Sequence, residues 1–78
     1  MKLGELIKSK RAAAGLTLEE LADLCGSGKS HIHGIESGKT LDIGIVIAAK
    51  LSLALGISVN SMAMLVIAEL AGIKEPTK

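Results

Sequence analysis

Lys29, Ser30, His33, Gly34 and Ser37 recur at the three- and four-residue spacing that lines up one face of a helix, and Lys39 follows just beyond. These residues are short or basic and mostly able to hydrogen-bond. Ile32 and Ile35 form an i, i+3 apolar pair on the other side, which anchors that side to a core. A short helix with one greasy face and one small, basic face suits insertion into a groove of DNA better than burial in protein.

Other chemistries fit these residues poorly. GSGKS at Gly26 to Ser30 has the end of a phosphate-binding loop, but the required first glycine falls at Asp23, inside a helix, and no strand precedes it. His31 and His33 lie two apart on a helix and point to nearly opposite sides, so with Cys25 they cannot chelate one metal ion. No Ser/His/Asp or Cys/His arrangement is assembled and no cofactor-pocket signature is present, so the expectation is a binding protein without cofactor or metal, not an enzyme. Cys25 itself reads as a small buried hydrophobe, and a single cysteine excludes an internal disulfide.

The face at Lys29 to Ser37 needs a second helix to hold it. Thr17 to Leu24 supplies one, with Thr17 as N-cap, Glu20 completing a capping box, and Leu16 against Leu21 as a staple. Leu21 and Ala22 face inward, and Ala22 is small enough to let the next helix cross closely. Gly26, four residues later, can take the positive φ that ends a helix. The pair is a helix-turn-helix. A first helix is expected from Lys2 to Ala14, with Leu3, Leu6, Ile7 and Ala14 inward and Gly15 as its stop. Arg11 falls four residues after Ile7, a costly place for a guanidinium unless an acid meets it. Ser27 or Gly28 is expected to cap the third helix. Asp42 is expected to cap a fourth reaching Leu55, and Ser58 a fifth from Val59 to Ala71. The fold class is all-α: a compact five-helix domain over residues 1–73, with a frayed tail at 74–78.

Composition narrows the partner. The 78 residues are 49% hydrophobic with no aromatic residue, which removes the base-stacking platform that single-strand and RNA binders use. The net charge is only +1, but it is unevenly spread. Lys2, Lys8, Lys10, Arg11, Lys29 and Lys39 lie in the first half, whereas from Leu41 to Ile73 the only charges are Asp42, Lys50 and Glu69. Glu19, Glu20 and Asp23 read as a solvated acidic face turned away from phosphate. IGIVIAAKLSLAL and VNSMAMLVIAELA carry apolar residues around much of each helix, more than a lone domain of this size can bury, and Met62 with Met64 adds adaptable contact surface. Lys50 and Glu69 interrupt these runs, so no membrane span is expected. The charged Met1 to Lys10 does not read as a signal peptide, and a cytoplasmic, nucleoid-associated protein is the expectation.

From Leu3 to about Met62 the chain resembles the lambda-repressor-like helix-turn-helix family of phage repressors, Cro proteins and bacterial regulators. The resemblance lies in KSKRAAAGLTLEELADLCGSGKSHIHGIESGK, followed after the fourth helix by ALGIS. It implies five helices and a homodimer on a pseudo-palindromic operator, with the third helix in the major groove of double-stranded DNA. It gives Lys29 and Ser30 base-reading roles and makes Ser37, Lys39 and Thr40 phosphate anchors, with His33 near enough to join either set. It also implies a buried ion pair between Arg11 and Glu36. Three positions depart from the family pattern: Leu18 stands where a glutamine that contacts phosphate is common, Gly28 where Ser or Thr is usual, and Gly34 where a reader is common. The expected function is therefore a sequence-specific transcription regulator, in the sense of a repressor, dimerising through helices four and five. The other reading is an antitoxin-type module whose apolar C-terminal helices bind a partner protein such as a toxin.

Overall fold

The computed structural model describes residues 1–72; the tail expected at 74–78 and Ile73 lie outside the described residues. Among them are five helices and no strand: α1 (Leu3–Ala13), α2 (Leu18–Cys25), α3 (Lys29–Ser37), α4 (Ile45–Leu55) and α5 (Val59–Leu70). α3 packs on α1 and α2, α4 on α2, and α5 on α4 and α1. The residues with nothing exposed are Leu3, Ile7, Leu21, Ile32 and Leu51, with Ile35 and Cys25 nearly so. Each fully buried aliphatic side chain of this kind contributes roughly 1.5 to 3 kcal/mol relative to exposure. They come from α1 through α4, so the core is centred where the two helices of the turn meet.

The capping box of α2 is present in both directions: the Thr17 hydroxyl accepts from the Glu20 N–H at 3.0 Å, and Glu20 accepts from the Thr17 N–H at 2.8 Å. Gly26 ends α2 at φ 64°. Its N–H bonds back to Asp23, and that of Ser27 to Ala22, which satisfies the last carbonyls and turns the chain towards α3. Lys50 of α4 places its Nζ 3.3 Å from where a Cβ on Gly26 would sit, a cation near the negative end of α2.

Several expected boundaries and roles are corrected. α1 stops at Ala13; Ala14 is its exposed C-cap and not part of the inner face, because its N–H folds back on Lys10 and Arg11 before Gly15 turns the chain away. Asp42 does not cap α4. Its N–H donates to the Thr40 hydroxyl at 3.0 Å, and the Ile43 N–H donates to the Leu41 carbonyl, so the chain makes one more turn and Gly44 becomes the N-cap. Gly28, not Ser27, is the N-cap of α3. The Ser27 hydroxyl instead meets Nδ1 of His31 at 2.8 Å. Met62 is buried in the core, leaving Met64 exposed. Ser58 caps α5 as expected, accepting from the Ser61 N–H at 3.0 Å.

Gly4 explains how α1 reaches α3. A Cβ there would fall on the carbonyl oxygens of Ile35 and Glu36, so only glycine lets the two backbones approach this closely. Glu69 of α5 then accepts the Leu3 N–H at 2.8 Å, closing the first turn of α1 from the far end of the chain.

Candidate nucleic-acid interface

The ion pair behind α3 fixes its orientation. Arg11 Nε donates to Glu36 Oε2 at 2.6 Å and Nη2 to Oε1 at 3.1 Å, a two-pronged contact across α1 and α3. Nη1 donates to the Leu16 carbonyl at 2.9 Å, which ties in the loop before α2. The Glu36 side chain is 4% exposed and that of Arg11 15%, so the pair is largely withdrawn from water. The hydrogen bond to Glu36, more than its charge, raises the Arg11 pKa, with burial opposing. A raised cation pKa contributes stability below the unfolded value and loses it only as pH rises through the folded one, so this contribution is constant across physiological pH.

The outer side of α3 is open. Lys29, Ser30, His33, Gly34 and Lys39 surround a shallow concavity of about 610 Å³, and Leu18 from the first turn of α2 forms its wall. Four of the expected contact residues thus converge on one surface, spanning a helix and the turn after it. Thr40 stands beside them, half-buried, its methyl 3.6 Å from where a Cβ on Gly34 would lie. Its hydroxyl accepts from Asp42 N–H and keeps its own proton for another acceptor. Ser37 sits elsewhere. Its hydroxyl donates to the Gly34 carbonyl at 3.3 Å, and it borders a second cleft lined by Lys2, Glu5, Glu36 and Glu69. His31 is half-buried and bonded to Ser27, with Nε2 3.4 Å from the Asp42 carbonyl; it braces α3 against the loop before α4.

Burial pushes the Cys25 thiol up, with Lys50 opposing, which suits an inert core residue. No three His, Cys, Asp or Glu residues are grouped to hold a metal among the described residues. No described helix is long and apolar enough to cross a membrane.

Leu18 belongs to this surface as well, although in the sequence it marks only the loss of a polar contact. A leucine at the first turn of a capped helix, with acids at the next two positions, was the available signal.

Two helices crossing at a glycine turn, the second held by a core and an ion pair and bare on its outer side, define a helix-turn-helix protein. The Cro/C1-type helix-turn-helix family matches residues 7–61, and the chain belongs to that family. A search of curated proteins finds no match. Among solved structures, the chain is similar to SinR, a master regulator for biofilm formation crystallised in complex with DNA. The two share 33% identity over 78% of this chain and 97% of the crystallised SinR chain, with a TM-score of 0.71.

Proposed function

We propose that the chain is a sequence-specific regulator of transcription, a repressor that binds double-stranded DNA as a symmetric homodimer on a pseudo-palindromic operator, with α3 in the major groove. The family and the likeness to SinR support a DNA-binding regulator and not an enzyme. The observation that carries the reading is the convergence of Lys29, Ser30, His33 and Lys39 on one open concavity. In this docking, Lys29, Ser30 and His33 face base edges, and Lys39 and Thr40 hold phosphate. Ser37 joins the phosphate anchors by exchanging its bond to Gly34 for one to a phosphate oxygen. The protein would act in the cytoplasm, on the nucleoid.

Reading and anchoring separate by mutation. Lys29, at the start of α3, can reach O6 and N7 of guanine. Lys29→Ala is expected to cost about 1 to 3 kcal/mol on the preferred site and to relax the choice of base at one position per half-site. Lys39→Ala is expected to weaken all duplexes alike and to reduce the salt slope by about one. Fluorescence titration on selected and scrambled duplexes at several salt concentrations distinguishes the two. An unchanged base preference in Lys29→Ala would refute this docking.

The apolar surface of α4 and α5 supports dimerisation. Ile45, Val46, Met64, Ile67 and Leu70 are exposed on α4 and α5, and Leu41, Ile45, Val59 and Ile67 border an apolar groove of about 310 Å³. Sedimentation at tens of micromolar is expected to give a dimer whose melting temperature rises with concentration. A monodisperse monomer would count against it. Leu53, 87% exposed on α4, favours the second reading, in which these helices bind another protein as an antitoxin binds its toxin. A chain that is soluble only with a second protein would support that reading instead.

A further inference from the structure

Gly34 sits in the middle of α3, where glycine is unfavourable, and the fold does not require it. Its φ is not positive, and an added Cβ would meet nothing nearer than the Thr40 methyl at 3.6 Å, an ordinary contact. The missing side chain therefore serves the outer surface, where it deepens the concavity beside Leu18. The floor there has no polar group on offer from the Gly34 carbonyl, which already accepts the backbone N–H groups of Gly38 and Lys39, the latter at 2.9 Å. Leu18, half-buried on α2, contributes only carbon, and the Thr40 methyl adds another apolar group next to Gly34. Lys29 and Lys39 frame this patch with positive charge, which fits a nucleic-acid surface and not an apolar protein one.

Resting on the function proposed above, we infer that Leu18 and Gly34 form an apolar notch that receives the C5 methyl group of a thymine in each half-site. The methyl is the one apolar feature a base pair presents in the major groove, and it is read by contact with carbon. A polar residue at position 18 would offer a hydrogen bond there; leucine offers a surface that gains only from a methyl. Leu18 and Gly34 thus act together, adding readout by shape and apolar contact at one base.

Deoxyuridine differs from thymidine by that methyl alone. Each thymine of the duplex selected by the wild-type chain is replaced in turn by deoxyuridine and the affinity measured. The expected result is a loss of about fourfold at one thymine per half-site, the transfer value of one buried carbon at tenfold per 1.4 kcal/mol, and under about twofold elsewhere. In Leu18→Gln the sensitivity at that thymine is expected to disappear. Should that variant not fold, Gly34→Ala, whose Cβ has room, fills the notch and is expected to erase the same preference. A selected site without thymine in the recognised segment, a duplex in which every thymine is replaceable without loss, or a sensitivity that persists in the folded variant overturns the notch while leaving DNA recognition intact. A chain that prefers no duplex overturns the proposed function and the notch with it.

Discussion

Glu36→Ala is expected to destabilise the domain by about 3 kcal/mol, the lower end of the range for breaking a buried ion pair. The carboxylate is nearly inaccessible and receives two guanidinium hydrogen bonds at 2.6 and 3.1 Å. Removing it leaves Arg11 with the Leu16 carbonyl as its remaining fixed partner. Arg11 keeps some contact with water, which holds the loss below the extreme. Small domains have only about 5 kcal/mol in total, so about 2 kcal/mol would remain and roughly a few per cent of the variant should be unfolded at equilibrium. Replacing both members, as in Arg11→Met with Glu36→Leu, should recover much of the loss, because the penalty comes from stranding one charge and not from the absence of the pair. Urea denaturation of Arg11→Met, Glu36→Leu and the double variant measures this coupling. A midpoint unchanged by Glu36→Ala would show that the pair is solvated.

Gly4→Ala and Gly34→Ala should shift stability in opposite directions, although both place alanine inside a helix. Propensity alone favours each by up to about 1 kcal/mol. At Gly4 the new Cβ would collide with the Ile35 and Glu36 carbonyl oxygens, which are backbone and cannot swing aside. α1 must then move off α3, dragging Leu3 and Ile7 from the core, and the net result should be a loss of about 1 to 3 kcal/mol. At Gly34 there is space, so the full gain of about 1 kcal/mol should appear in the free protein. Thermal melts of both variants at one protein concentration decide it. Equal shifts of the same sign would mean that α1 and α3 do not approach at Gly4.

The helix-turn-helix was legible because its signals are local. Thr17 and Glu20 bond across three residues, Gly26 supplies the positive φ of the turn, and Ile32 with Ile35 marks the inward stripe of α3. What escaped depends on groups far apart in sequence. Glu69 is 66 residues from the Leu3 N–H it receives, so nothing in its neighbourhood announced that role. Gly4 has no side chain to mark it, and its role depends on the α3 backbone that lies across it. Asp42 had the right chemistry for a cap, but Thr40 captured its N–H first and delayed α4. At the interface, charge at Lys29 and Lys39 was visible in the sequence, whereas the wall made by Leu18 required the crossing of α2 and α3 to be known.

Selection of bound duplexes from a random pool by the purified chain, at about physiological salt, tests sequence-specific recognition most directly, since non-specific phosphate binding cannot enrich any sequence. The expected result is an enriched pseudo-palindrome with half-sites about one helical turn or a multiple of it apart, each duplex carrying two chains. A pool that stays random through repeated rounds, from a chain that is folded and monodisperse, would contradict it.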